Sequence, residues 1–187
     1  DKIVAIPAGV DTAQFHPAVS GTAVRREFCL NGLVIGTVAM FRHAKGHRVL
    51  LRALPEILRR EPRAMFLWVG DGVGRVALQQ EVAEAGVQNK VHMVGFREDI
   101  PTCLAAMDVV VLPSIRSDGV PQVVLQALAM RKPVVASAVG GIPEVIQHQR
   151  TGVLVPPNDP QALADAVVQV LRDPQSAALW AQAGGQL

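Results

Sequence analysis

From Leu33 onward the chain repeats one pattern: a short run rich in Val, Ile and Leu, then a longer stretch with apolar positions at helical spacing. The runs at 34–40, 64–69, 91–94, 109–112, 133–136 and 153–155 read as strands. Several of them, most plainly Val109-Val110-Val111-Leu112, are apolar at every position, as in a strand covered on both faces. The intervening stretches read as helices at about 46–60, 74–86, 100–106, 121–130, 143–147 and 160–172, with a last one near 175–183. Pro121 and the Asn158-Asp159-Pro160 turn are helix-start signals. A β-α repeat of this kind predicts an α/β fold: a Rossmann-like, doubly wound parallel sheet of about six strands with helices on both faces. Upstream, Ile3-Val4-Ala5-Ile6 reads as a short strand, Pro7 to Asp11 as a turn, and 22–28 as a short helix.

Composition narrows the picture. Half the residues are apolar, but aromatics are only 4% and tyrosine is absent, so the core is aliphatic. With 18 basic and 16 acidic residues the formal charge is +2, which gives no field for nucleic acid or an anionic membrane. Cys29 and Cys103 follow no metal or redox spacing and read as reduced thiols of a cytoplasmic protein. No apolar run approaches the ~18 residues of a membrane span, and no signal peptide is read at the start. Because the chain opens on Asp1, it is read as a piece of a longer protein.

In a doubly wound sheet, ligands bind beyond the carboxyl ends of the strands. The loops there carry Arg42, Lys45 and Gly46 after the first strand, Gly70-Asp71-Gly72 after the second, and Gly95-Phe96-Arg97 after the third. Two cations on one loop, glycine-bearing turns, and a helix opening at Pro121 with its free N–H groups facing the rim suit a phosphorylated ligand. Neither a Gly-x-Gly-x-x-Gly after the first strand nor a P-loop is present, which counts against a dinucleotide dehydrogenase and a P-loop phosphohydrolase. The five histidines do not cluster with metal-ligand spacing, so no metal is expected.

A longer series of motifs runs in register along the chain: Lys45-Gly46, Gly70-Asp71-Gly72, Val91 to Phe96, Pro113-Ser114, Asp118-Gly119-Val120-Pro121, Gln126-Ala127-Leu128-Ala129, Pro133 to Ala136, Gly140-Gly141-Ile142-Pro143-Glu144 and Thr151 to Val155. The series closely resembles the C-terminal, donor-binding domain of group 1 (family 4) retaining glycosyltransferases of GT-B fold. Ile6-Pro7-Ala8-Gly9-Val10-Asp11 with Phe15-x-Pro17 resembles that family's link into its second domain. The resemblance implies an interdomain lead-in over residues 1–32, a nucleotide-sugar domain over 33–187, and an N-terminal acceptor domain outside this chain.

The resemblance also implies roles. A UDP- or GDP-type sugar donor would be the substrate, with no further cofactor. Arg42 and Lys45 would hold the diphosphate, and Asp118 would touch the donor sugar. The backbone of Gly119, Val120, Pro121, Gln122 and Val123 would cradle sugar and phosphate, and Gln126 would meet the ribose. Gly46 and Gly70 would allow close approach, and the backbone of Gly95, Phe96 and Arg97 would flank the base. The usual pair of glutamates is altered here, one shortened to Asp118 and the other neutralised to Gln126. The family's strand-end arginine aligns with Met40, which leaves Arg42 as a substitute two positions on. The implied activity is metal-independent, retaining hexosyl transfer to an acceptor sugar or glycolipid in cell-surface polysaccharide or glycolipid synthesis. It would take place in the cytoplasm or at the inner membrane face, and the isolated domain would be inactive. A catalytically degenerate nucleotide-binding module, or a sugar epimerase or phosphorylase of the same fold, stays open as an alternative.

Overall fold

The structure, a computed structural model, describes residues 9–116 and 119–186. The expected strand at 3–6 and the residues Ser117 and Asp118 lie outside those described. Six strands form one parallel sheet: β1 (Leu33–Val38), β2 (Ala64–Val69), β3 (Val91–Gly95), β4 (Val109–Leu112), β5 (Val134–Ser137) and β6 (Val153–Val155), in the order β3-β2-β1-β4-β5-β6. The helices are α1 (Thr22–Glu27), α2 (His47–Arg60), α3 (Arg75–Glu84), α4 (Ile100–Ala106), α5 (Gln122–Ala129), α6 (Ile142–Val145), α7 (Pro160–Arg172) and α8 (Pro174–Gly184), with a short 3-10 turn at His43–Lys45.

Alternate residues of each strand feed two separate aliphatic layers. Ile35, Phe66, Trp68, Val109, Val111, Val135 and Val153 pack with α2, α3 and α7. Val34, Leu67, Val69, Val110, Leu112, Val134 and Ala136 pack with α1, α4, α5 and α6. This two-sided covering is why the central strands can be apolar throughout, since each fully buried Val or Leu contributes about 1.5–3 kcal/mol on either face.

Three strands differ in their limits from the sequence reading: β1 begins one residue earlier and stops sooner, β3 ends one residue later, and β5 is shifted by one residue. β1 stops at Val38 instead of running to residue 40, because its partner β2 stops at Val69; beyond it, the Phe41 N–H donates to the Asp71 carbonyl in the neighbouring loop. β5 begins one residue later than expected: Pro133 has no N–H to donate, although its carbonyl accepts from Val110 at 2.9 Å.

The described part of the lead-in is fastened to the sheet by packing and charge. Phe15, Val24 and Leu30 are buried in the second layer. Arg25 donates to the Ala106 carbonyl at 2.9 Å and to Asp108 Oδ2 at 2.7 Å, and the same oxygen accepts from the Val34 N–H at 2.7 Å. One carboxylate thus ties the lead-in to the starts of β1 and β4.

At the other end of β1, His47 opens α2 with its ring inside the first layer. It is 3% exposed, edge-on to Phe41 and Trp68 at centroid distances of 4.9 and 5.6 Å. Neither ring nitrogen has a hydrogen-bond partner among the described residues. Burial, with Lys45 adding repulsion, pulls its pKa down to about 4. The folded state therefore holds a neutral imidazole, while the unfolded chain takes up a proton near the ordinary value of about 6.5. The resulting stability is complete above pH 6.5 and is lost as pH falls from there to 4, reaching about 3 kcal/mol at the limit. Urea midpoints measured across that window should fall for the parent and fall less for His47→Phe; parallel curves would show that His47 is not the group responsible.

Candidate functional site

The strand order sets the position of the site. From β1 the chain builds outward through β2 to β3, then returns to place β4 against the other edge of β1 and builds outward through β5 to β6. The helices that follow β1 and β4, α2 and α5, cover opposite faces of the sheet, so a crevice opens at the carboxyl ends of the two strands. A cavity of about 300 Å³ lies there, with Lys45, Ser114, Pro121, Gln122, Val123 and Gln126 in its walls and the end of β1 with the two residues after it, Thr37 to Met40, beneath.

Two loops meet to make this crevice. Gly46 adopts φ +72°, and a Cβ at that position would overlap the Pro113 carbonyl oxygen. Beside it the Ile115 N–H donates to the Ala44 carbonyl at 2.9 Å. Glycine is needed on both counts, because a side chain would be strained at that φ and would push the loops apart. Lys45 is thereby held on the crevice side of a rigid seam.

The opposite wall is the first turn of α5. Pro121 sits at the N-cap with φ −66°, and the N–H groups of Gln122 and Val123 are left without helical partners. The Gln122 side chain donates to the Gly9 carbonyl at 2.6 Å, which ties the lead-in to the start of α5. Gln126, one turn further on, is half-buried in the same wall, and its amide makes no side-chain hydrogen bond among the described residues. Gly119 and Val120 pack on the loop after β5, where a Cβ on Gly141 would press on both.

Of the residues singled out from the sequence, Lys45, Pro121, Gln122, Val123 and Gln126 therefore share one crevice. Gly46 builds it from behind. Asp118 lies outside the described residues. Arg42 is exposed on the other flank of the loop, in a small recess with Phe41, His47 and Arg48. Gly70 braces the loop after β2 against the Ala39 carbonyl. Gly95 ends β3 at φ +78°, and its carbonyl accepts from the Gly70 N–H at 2.8 Å. Phe96, next along, is 76% exposed on the rim. The Arg97 side chain is engaged elsewhere, bonded to Glu27 and Asp99 at 2.7 Å and lying 5.5 Å over the Phe28 ring. Those carboxylates hold its guanidinium firmly charged and anchor the loop after β3 to α1 and α4.

Ser114, which the motif series contains without a role, and Thr37, which was not singled out from the sequence, both line the crevice. Thr37 Oγ1 donates to the Val111 carbonyl at 3.1 Å and so braces β1 on β4. Ser114 is 2% exposed and stands just beyond the end of β4. A hydroxyl directly after an all-apolar strand and a proline is a signal that the switch-point rule could have picked up. Among the described residues, no group of three or more His, Cys, Asp or Glu could hold a metal ion, and no helix is long and apolar enough to cross a membrane.

Comparison with known proteins agrees with this geometry. The profile of glycosyl transferases group 1 matches residues 32–173. A GDP-mannose-dependent alpha-(1-6)-phosphatidylinositol monomannoside mannosyltransferase of Mycolicibacterium smegmatis is 34% identical over 96% of this chain and 50% of its own length. Anabaena HepE, solved with UDP and glucose, superimposes with a TM-score of 0.88 at 29% identity over 95% of this chain and 50% of its own. The C-terminal domain of a group 1 glycosyl transferase (LpcC) of Francisella tularensis superimposes with a TM-score of 0.83 at 29% identity over 95% of both chains. The chain spans half or less of the curated relatives it matches. With a family match over residues 32–173 and a fold that superimposes on theirs, the chain belongs to the glycosyl transferases group 1.

Proposed function

We propose that this chain is the donor-binding half of a hexosyltransferase, and that its crevice holds a nucleoside-diphosphate sugar. The observation that carries this is the meeting, in one cavity, of Lys45, the N–H groups at the start of α5 that have no helical partners, and the half-buried amide of Gln126. The leaving group in such a transfer is a nucleoside diphosphate, so the site's main task is to stabilise developing negative charge. Lys45 on one wall and the positive end of α5 on the other supply that stabilisation without a metal ion. Gln126 reaches the ribose hydroxyls, and Asp118 the donor sugar. The end of β3 stands two strands from β1, about 10 Å along the sheet, so the base is received near Gly95 and Phe96. A UDP or GDP donor is supported by HepE, solved with UDP, and by the GDP-mannose-dependent relative. The acceptor sugar or glycolipid is bound by a second domain across the cleft. The reaction belongs to the cytoplasmic side, in keeping with two unpaired cysteines.

Gln126→Leu should weaken UDP or GDP binding by roughly 1–3 kcal/mol, because the ribose hydroxyls lose their partner, whereas Gln126→Glu should preserve or strengthen it. Calorimetry in which the Leu variant binds as tightly as the parent would return Gln126 to a purely structural role.

Lys45→Ala should cost much more affinity for the nucleoside diphosphate than for the bare nucleoside, and the difference should survive moderate salt. An equal loss for both ligands, or a loss that vanishes with screening over about 8–10 Å, would remove Lys45 from the phosphate clamp. EDTA should leave diphosphate binding unchanged; a loss of about tenfold on chelation would mean that a divalent ion takes part.

A further inference from the structure

The seam that closes the donor crevice has a second side. Where Ala44 to Gly46 meet Pro113 to Ile115, Lys45 and Ser114 face the crevice, while His43, Gly46, Ile115 and Arg116 line a separate cavity of about 500 Å³. Arg48 and Arg52 of α2 and Asn158 of the turn before α7 complete its walls. A smaller recess, sharing His43 and Arg48, adjoins it and contains Arg42 and the buried ring of His47.

The charge on this shoulder is poorly balanced. Arg48 is chelated by Glu81 at 2.6–2.9 Å, so that pair is neutral. Arg52 donates to its own helix at Arg48 O and to the uncharged Asn158 amide at 2.7 Å. Among the described residues, no carboxylate pairs with Arg42, Arg52 or Arg116. Arg52 and Arg116 thus line a cavity whose one carboxylate among the described residues, Glu81, is already neutralised by Arg48, and Arg42 stands in the adjoining recess. Independently of charge, both nitrogens of His47 lack a partner among the described residues, although the ring lies almost wholly buried beneath the adjoining recess. Buried polar atoms of this kind ordinarily have a partner, whether protein, water or ligand.

We propose that this shoulder is a second anion site, which takes a phosphate group other than the diphosphate of the donor. Planar guanidiniums match phosphate oxygens in bidentate geometry, and several converging on one cavity favour a phosphate over a neutral sugar. The cavity is roomier than an inorganic ion needs and opens on the same rim as the donor crevice, so it suits a phosphate carried on a sugar or alcohol. The site does not depend on how the donor crevice is read, because the seam separates the two sets of residues.

The test titrates glucose 1-phosphate, inorganic phosphate and glucose into the chain, alone and saturated with UDP or GDP. Glucose 1-phosphate should bind saturably in both states, and glucose should not bind. The double variant Arg52→Gln, Arg116→Gln should lose about tenfold in phosphate affinity and leave nucleotide affinity within about twofold, and Gln126→Leu should do the converse. Tighter binding of the ester than of inorganic phosphate identifies a phosphate carried on an acceptor; equal binding identifies a free anion, and both uphold the site. Should the double variant fail to melt cooperatively, the single variant Arg52→Lys, which keeps the charge but loses the bidentate fork, should lose less affinity than Arg52→Gln, and the His43 and His47 ring signals of the parent should shift with glucose 1-phosphate in nucleotide-saturated protein. Absence of saturable binding, competition with UDP or GDP, or indifference to the arginine variants would overturn the proposal. Because the bare chain is also titrated, a failure of nucleotide binding leaves this result readable on its own.

Discussion

The close seating of Gly46 on the Pro113 carbonyl is the contact on which the arrangement at the rim depends. It joins the loop leaving β1 to the loop leaving β4, at the two strands between which the sheet changes direction. A side chain at residue 46 would be strained at φ +72° and would separate the loops. Lys45 would then lose its fixed position opposite α5, and the crevice would lose one wall. The hydrogen bond from Ile115 to Ala44 closes the same seam and gives the rim two cavities instead of one open trough.

Below the rim, the fold provides stiffness by simple means. Two aliphatic layers cover the sheet, and the strand residues alternate between them. Asp108 gathers Arg25 and the Val34 N–H, so the lead-in, β1 and β4 are tied at the end opposite the site. Gln122 holds the same lead-in from the rim side. α5 therefore presents its first turn from a base fixed at both ends, as a site that orients a charged ligand requires.

Much of this was legible in the sequence because backbone periodicity and loop chemistry are local properties. All-apolar runs such as Val109–Leu112 could only be strands covered on both faces, and the strand-then-helix alternation led to the parallel sheet. Lys45 and Gln126 were found because their motifs fix their distance from a strand end and a helix start. Side-chain direction was not legible. Arg42 is two residues from the end of the expected strand, yet its exposed side chain lines the recess with His47 and Arg48, away from the crevice. Nor could the chain show that the Arg97 side chain is bonded to Glu27, 70 residues earlier. Thr37 reaches the crevice through the pairing of β1 with β4, and a contact that non-local leaves no pattern in the chain.

The central claim is that the crevice between β1 and β4 is the donor site, and a crystal structure of this chain with UDP or GDP tests it most directly. The account predicts diphosphate oxygens within hydrogen-bonding reach of Lys45 Nζ and of the N–H groups opening α5, with the ribose hydroxyls on the Gln126 amide. A diphosphate bound beyond the seam, among Arg48, Arg52 and Arg116, with the crevice empty, would contradict it.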